Sequence, residues 1–271
     1  MKDLVEPTTE TQPRTIGVLD LRFGGTSQLQ NLYQEGASKA LFARKQNGAE
    51  AICINTSGGI TGGDRLTGHF ETRDSAHLCV TTQGFERIYR SLDNTSGVIK
   101  NSITVRDKSS IYWLPQETLL YDGGHLDRSL VVNADSSASV LIVEPTLFGR
   151  IAMGEDQICG SLVDRITLSL DGALAFQDAT KFTGDISNIV NRPAVMAGAR
   201  ATALVIYSSR SAGAVLPKIL PILNSTSGAS LLSDRLMVSR LIAPDGMKLR
   251  QMLIPIIREI TKSDIPRTWR L

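Results

Sequence analysis

Short β-strand patterns separated by turn sequences fill most of residues 16–210, and this spacing constrains the fold more than any other feature of the chain. Runs rich in apolar and β-branched residues occur at 51–55, 77–82, 98–105, 129–132, 139–143, 166–170, 173–176 and 203–207. Clusters of Asp, Asn, Ser and Gly separate them at short and fairly even intervals. Many short strands with such turns predict a mainly β protein, built as a sandwich, a barrel or a solenoid-like stack of sheets.

Two segments in the C-terminal third have helical character instead. Residues 212–223 form an apolar stretch that is interrupted by two prolines. Residues 247–262 repeat apolar side chains at the i, i+3, i+4, i+7 spacing of one helix face. Pro255 lies inside this second pattern and predicts a kink or a broken helix. Between the two segments, residues 231–241 predict one more strand.

We expect a single β-rich domain over residues 15–271, because no change of composition and no internal repeat of fixed period divides the chain. Residues 1–14 are polar and rich in Thr, Pro and Glu, so we expect a disordered tail there. The tail lacks the apolar region of a secretory signal, and no run approaches the ~18 apolar residues of a membrane helix. The sequence therefore predicts a cytoplasmic protein without membrane association.

The distribution of charge and of reactive side chains excludes several functional classes. The 29 basic and 27 acidic residues give a net charge of +2 and are spread along the chain, without the basic stripe that nucleic-acid binding requires. The three cysteines and three histidines show none of the spacings of a structural zinc site. The sequence contains no G-x-S-x-G motif and no local Cys–His signature that would support a hydrolase.

Paired glycines follow the apolar run 51–54, as Gly58, Gly59, Gly62 and Gly63, and Asp64 and Arg65 come next. Gly58 and Gly63 have the spacing of a P-loop, but an acid and an arginine replace the Lys and Ser/Thr that bind phosphate and Mg²⁺. The simplest interpretation is a tight turn in which glycine supplies φ > 0. Because one turn does not need two glycine pairs, we expect two backbone segments to approach closely here. A small-anion hydrolase or transferase that uses the loop of residues 58–63 is the alternative function.

Several carboxylates follow strand-like runs, namely Glu117, Asp122, Glu144 and Glu155. At strand ends, such groups can act as acid/base pairs or as oxygen ligands for a metal. In the alternative interpretation, each carboxylate pairs with a nearby arginine, and the candidates are Arg65, Arg87, Arg90, Arg128 and Arg150.

Six groups of residues occur in order along the chain. They are Tyr33-Gln34-Glu35-Gly36; residues 55–66 with the paired glycines; Thr81-Thr82-Gln83 with Tyr89-Arg90-Ser91; Trp113-Leu114-Pro115-Gln116-Glu117-Thr118 with Asp122-Gly123; Phe148-Gly149-Arg150 with Ala152-Met153-Gly154-Glu155; and Pro266-Arg267-Thr268-Trp269. Together they span roughly residues 14–271 and resemble the urease accessory protein family UreD, also called UreH. The glycine group and the Leu-Pro-Gln-Glu group are its most specific motifs.

This resemblance implies a β-rich scaffold of many short strands with about two helices and no enzymatic activity of its own. It also implies the partners UreF, the GTPase UreG and apo-urease subunits, with a possible dimer within the complex. Members of the family assist the delivery of Ni²⁺ to the active site of urease. We therefore expect a transient Ni²⁺ and no tightly bound cofactor.

A protein that passes Ni²⁺ onward must bind the ion weakly, which oxygen ligands allow better than thiolate or imidazole cages. On this basis we expect a polar passage for nickel that is lined or flanked by acidic residues. The candidates for this passage are Asp64, Glu117, Asp122 and Glu155.

The amphipathic segment 247–262 is the candidate for a partner-binding surface, because helix faces commonly dock into grooves. Leu249, Leu253 and Arg258 are the residues that we expect to contact the partner. The alternative is that this helix packs against the β scaffold of the same chain.

Overall fold

The computed structural model describes residues 13–45, 48–263 and 265–270. Residues 1–12 of the expected N-terminal tail lie outside the described residues. The described part is mainly β, with two helices of seven or more residues in its C-terminal part, which confirms the predicted fold class. Among the described residues, no helix is long and apolar enough to span a membrane.

The strands form two large sheets. In spatial order, the first sheet contains β14 (Ala173–Asp185), β13 (Cys159–Leu170), β11 (Gly124–Ala134), β8 (Gly97–Val105), β5 (Arg65–Thr72), β1 (Ile16–Gly24) and β2 (Gln28–Gly36). The second contains β16 (Gly228–Ser233), β17 (Leu236–Ala243), β15 (Ala201–Ser208), β12 (Ser139–Phe148), β9 (Ser110–Leu114), β6 (His77–Thr82), β4 (Gly48–Asn55) and β3 (Ser38–Lys45). Two short strands, β7 (Glu86–Ile88) and β10 (Thr118–Leu120), pair with each other, and β10 also pairs with β12.

From β4 to β13 the chain winds as a β-solenoid of about 4 turns. Each turn places one strand in the second sheet and the following strand in the first sheet. Strands of successive turns pair in parallel, as β4–β6–β9–β12 in one sheet and β5–β8–β11–β13 in the other. Of the three sheet architectures that the sequence predicts, the structure therefore adopts the solenoid.

The turns of the solenoid differ in length. Ala49 pairs with Leu78, which is 29 positions later, whereas Gly124 pairs with Gly160, which is 36 positions later. The strands stay in register because the connections between the sheets absorb the difference. A repeat of fixed period is therefore absent from the sequence, although the structure repeats.

One part of the core lies between the two sheets, where each strand directs every second side chain inward. Along β11, buried residues alternate with half-buried or exposed ones, and Leu126, Leu130 and Val132 are among the buried positions. Strand β12 differs, because nearly all of its residues are buried. Both faces of β12 are covered, which explains why its sequence is an almost continuous apolar run and does not alternate.

Three helices occur in the described part: α1 (Ile186–Asn191), α2 (Ala212–Ile219) and α3 (Gly246–Thr261). Helices α2 and α3 cover the outer face of the second sheet. Asp245 caps α3, because its side chain accepts a hydrogen bond from the backbone N–H of Lys248. Helix α3 continues through Pro255, so it is not broken there. Pro255 lies on the exposed side, where water can bind the carbonyl group that loses its partner.

The prediction of one strand over residues 231–241 is wrong. The segment belongs to an antiparallel hairpin of β16 and β17, with Asp234 and Arg235 at its turn. Strand β16 is a mostly exposed edge strand, and β17 is largely buried. The turn has only two residues and apolar side chains on both sides, so the sequence pattern does not separate the two strands.

Candidate functional site

The connections that lead from the second sheet to the first lie on one side of the solenoid, which we call the connection edge. They comprise residues 56–64, 83–96, 115–123 and 149–158. Beneath this edge, Ile60, Ile88, Leu120 and Phe148 pair from turn to turn and are fully buried. The glycine, Tyr-Arg, Leu-Pro-Gln-Glu and Phe-Gly-Arg motifs, which are far apart in sequence, are therefore stacked on one edge.

The paired glycines let the first connection pack against the next turn. A Cβ atom on Gly59 would lie 2.7 Å from the carbonyl oxygen of Arg87, and one on Gly62 would lie 2.6 Å from that of Thr95. Gly58 has a φ of 79°, in the left-handed region that favours glycine. The structure thus shows the close approach of two backbones that the glycine pairs predict.

Asp64 closes this loop and is buried. Its Oδ1 accepts a 2.7 Å hydrogen bond from the backbone N–H of Thr15, and its Oδ2 accepts a 2.9 Å bond from that of Thr61. Both carboxylate oxygens therefore bind backbone donors and join the start of β1 to the glycine loop.

Glu117 lies in the Leu-Pro-Gln-Glu motif and is fully buried. Arg250 of α3 donates to both of its oxygens, from Nε at 2.6 Å and from Nη2 at 2.7 Å. Gln116 donates from Nε2 to the carbonyl oxygen of Thr268 at 2.7 Å, and the indole N–H of Trp269 donates to the carbonyl of Leu114 at 2.9 Å. The motif thus fastens α3 and residues 268–269 to the solenoid.

Asp122 and Glu155 are neighbours on the connection edge. The backbone N–H of Asp122 donates to Oε1 of Glu155 at 3.2 Å, and the Asp122 carboxylate pairs with Arg90. Arg150 donates to both oxygens of Glu155 at 3.0 Å. These hydrogen bonds from Arg150 hold the pKa of Glu155 at about 2, well below its usual range.

The structure does not bring the four candidate nickel residues together. Asp64 binds backbone donors, Glu117 binds Arg250, and only Asp122 and Glu155 are in contact. Within residues 13–45, 48–263 and 265–270, no group of three or more His, Cys, Asp or Glu side chains could hold a metal ion. Arginine pairing, the alternative interpretation, describes three of the four acids, although Arg250 is not among the predicted partners. Its position on the apolar face of residues 247–262 is the signal that could have indicated it.

A cavity of about 400 Å³ enters the protein at the connection edge. Its lining extends from the exposed Gly58 and Gly84 to the buried side chains of Trp113, Arg128 and Glu144. We call it the larger cavity. None of the four candidate acids is among its lining residues.

Glu86 also lines the larger cavity. Burial raises the pKa of Glu86 to about 7, although the 3.0 Å hydrogen bond from Asn55 and the charge of Arg87 oppose this effect. The negative charge of Asp64 adds to the increase. The larger cavity therefore contains a carboxyl group that titrates near neutral pH.

A smaller cavity of about 250 Å³ lies on the other side of Glu144. Its lining includes Asp164 and Asp178, and it extends to the exposed Ala194, which follows α1. Glu144 lines both cavities, and we call the place where this residue lies between them the junction.

An ion cluster occupies this junction. Nη1 of Arg128 lies 2.7 Å from Oε2 of Glu144, and Nε and Nη2 donate to the two oxygens of Asp164 at 3.0 and 2.5 Å. The indole N–H of Trp113 donates to Glu144 at 2.7 Å, and Arg128 donates to the hydroxyl of Thr118 at 2.9 Å. Burial raises the pKa of Glu144, and the Arg128 charge opposes that increase. The sequence analysis names Glu144 and Arg128 among several carboxylates and arginines, but it does not pair them.

The candidate partner-binding residues of α3 lie in different environments. Leu249 and Leu253 are fully buried in the protein's own core, as the packing alternative predicts. Arg258 lies on the exposed face of the same helix. A partner that docks on α3 in this fold therefore meets Arg258 and not the two leucines.

Comparison with known proteins gives one consistent result. A family model described as UreD urease accessory protein matches residues 16–270. The urease accessory protein UreD of Ruegeria pomeroyi is 43% identical over 249 residues, which cover 92% of this chain and 97% of that protein. The UreD proteins of Roseobacter denitrificans and Agrobacterium fabrum are 40% and 35% identical, and they cover 96% and 100% of this chain and 96% and 95% of their own lengths.

The buried pair of Arg250 and Glu117 leads to a test of stability. We expect Arg250→Met to lower the free energy of unfolding by about 3–5 kcal/mol, because it leaves the Glu117 carboxylate buried without its cation. The double variant Arg250→Met/Glu117→Gln should recover part of this loss. Urea denaturation measures both effects, with Arg258→Met on the exposed face of α3 as the control. Equal stability of the Arg250 and Arg258 variants would contradict the assignment.

The raised pKa of Glu86 predicts a pH dependence. In the unfolded chain this carboxyl ionises near its ordinary value of 4.5, whereas in the folded protein it ionises at about 7. Stability therefore falls as pH rises between these two values, because the unfolded state releases its proton first. Glu86→Gln should remove this fall and stabilise the protein at pH 8 by on the order of 2 kcal/mol. Unfolding measured from pH 5 to 8 tests this, and Asp74→Asn, at an exposed ion pair, is the control.

Proposed function

This chain belongs to the UreD urease accessory protein family, and we propose that it acts as a scaffold that binds apo-urease together with UreF and UreG while Ni²⁺ passes through its interior. Family membership establishes its part in urease maturation, in nickel delivery and in the urease maturation machinery. Proteins of this family are accessory proteins and not enzymes. A hydrolase or transferase that uses the loop of residues 58–63 is therefore set aside.

The observation that supports an internal route is the junction at Glu144. The two cavities reach the surface in different places, near Gly84 and near Ala194, and both reach Glu144. Apolar side chains make up much of the lining, but Glu86, Asp164 and Asp178 and several threonines also line the two cavities. Oxygen ligands bind a first-row metal more weakly than nitrogen or sulfur ligands do. An interior of this kind suits a cargo ion that must leave again.

The four candidate nickel residues lie on the connection edge and not in the lining of the larger cavity. Asp122 and Glu155 lie on the edge where the larger cavity opens, and Asp64 is close enough to influence the pKa of Glu86 in its lining. Ligation of nickel by Asp64, Glu117, Asp122 or Glu155 stays a prediction. A location in the cytoplasm and a dimer within the complex also stay predictions.

Urease activation tests the internal route. In cells that express urease but lack their own UreD, we expect Glu144→Gln to lower the nickel content and the activity of urease by roughly tenfold, because it removes a charged oxygen from the junction. The complex with UreF and UreG should still assemble, as a pull-down would show. Asp127→Asn, which changes a partly exposed carboxylate on the outer face of the first sheet, is the matched control.

The same assay separates the two possible routes. Glu155→Gln changes the connection edge and leaves the junction intact. Full activation by the Glu144 variant together with loss in the Glu155 variant would exclude the internal route and favour a path along the edge.

A partner surface on α3 is the second part of the proposal. The exposed face of this helix carries Arg258, whereas Leu249 and Leu253 are buried in the core cluster. An exposed charge at the rim of an interface acts mainly on the rate of association.

Charge reversal at this position tests the surface. We expect Arg258→Glu to weaken capture of the UreF partner by about three- to tenfold, because it places a negative charge on that face. The chain should stay folded, with a loss of at most about 1 kcal/mol, because Arg258 lies in the last turn of α3. Arg165→Glu, on the outer face of the first sheet, is the control, and equal capture by both variants would place the partner elsewhere.

A further inference from the structure

We propose that Arg128 is a gate between the two cavities, and that a divalent cation can occupy the junction between Glu144 and Asp164 only after this guanidinium has moved away. The inference rests on the proposed passage of Ni²⁺, and it adds the residue that regulates that passage.

The position of Arg128 carries the argument. The side chain starts from β11 in the first sheet and reaches Glu144 on β12 in the second sheet and Asp164 on β13 in its own sheet. Arg128 lines the larger cavity, Asp164 lines the smaller one, and Glu144 lines both. A cation that crosses from one cavity to the other therefore meets the guanidinium between the two carboxylates.

The charges at the junction favour an exchange of cations. Two carboxylates face one guanidinium, so the buried group carries one negative charge in excess when both acids are ionised. A divalent ion would balance both carboxylates, and Coulomb attraction is strong where water is scarce. While Arg128 stays in place, its positive charge repels the incoming ion. Its N–H groups also lie against the carboxylate oxygens that would otherwise bind that ion. The larger cavity, at about 400 Å³, provides space into which the arginine side chain can turn.

The same two strands supply a matched control. On the outer face of the first sheet, Arg165 of β13 pairs with Asp127 of β11 at 2.7 Å. In this outer pair the arginine is on β13 and the aspartate on β11. In the buried pair the arginine, Arg128, is on β11 and the aspartate, Asp164, is on β13. Arg165 and Asp127 are partly exposed and line neither cavity, so the loss of this arginine should not create a place for a divalent ion.

Binding of Ni²⁺ to the purified protein tests the gate. Equilibrium dialysis at pH 7.5 would compare the wild-type chain with the variants Arg128→Met and Arg165→Met. We expect Arg128→Met to bind one more Ni²⁺ ion than the wild type does. The affinity for Ni²⁺ should rise at least about tenfold, because two buried carboxylates lose their cation. Adding Glu144→Gln to that variant should abolish the gain, and Arg165→Met should behave like the wild type.

Arg128→Lys covers the case in which the methionine variant fails to fold. Lysine keeps the positive charge but cannot donate to both carboxylates in the planar manner of arginine. We expect it to bind Ni²⁺ more tightly than the wild type and more weakly than Arg128→Met. If neither folded variant binds Ni²⁺ better than the wild type and Arg165→Met, the gate is refuted.

The two experiments distinguish a failure of the gate from a failure of the route. Unchanged Ni²⁺ binding by the Arg128 variants, with activation lost in Glu144→Gln, would refute the gate and leave the internal route standing. Tighter Ni²⁺ binding by Arg128→Met, with full activation by Glu144→Gln, would support the exchange at the junction and refute the route.

Discussion

Backbone hydrogen bonds between successive turns of the solenoid determine where everything else in this protein lies. Each strand satisfies its N–H and C=O groups on the strand of the neighbouring turn, and strands paired in this way lie about 4.8 Å apart. Residues about thirty positions apart in sequence therefore become neighbours. The same register pairs side chains, because each histidine hydrogen-bonds to a serine of the next turn, as in His69–Ser102, His77–Ser110 and His125–Ser161. The histidines are consequently distributed along the ladder and do not form a metal site.

Ion pairs occur both at the connection edge and in the interior of the solenoid, and they differ in how far they are buried. On the edge, Asp122 and Glu155 pair with arginines that remain partly exposed, and such pairs contribute little to stability. In the interior, Glu144 and Arg128 are almost fully buried, where a well-packed apolar group would often be at least as stable. Fold stability alone does not account for charges at that position. The proposed polar path through the protein is a function that would account for them.

The sequence predicted the fold class, the two longer helices and the close approach at the glycine pairs, because each of these depends on local patterns. It did not predict which acids converge. The partners Glu117 and Arg250 are 133 positions apart, and turns of unequal length hide the repeat that would have aligned the connections. Glu144 and Arg128 were both visible as charged residues in the sequence. Only the winding of the chain shows that they meet between two cavities.

The attachment of residues 268–269 to the Leu-Pro-Gln-Glu motif has a consequence for the order in which the protein forms during synthesis. The hydrogen bonds from Gln116 to Thr268 and from Trp269 to Leu114 join residues that are 152 and 155 positions apart. At about 5–20 residues per second, a ribosome completes the motif roughly 8–30 seconds before it adds the segment that covers it. During that interval the acceptor on Leu114 and the donor on Gln116 lack these partners. Until residues 268–269 have been added, the nascent chain therefore exposes these polar groups next to the larger cavity, which Gln116 lines.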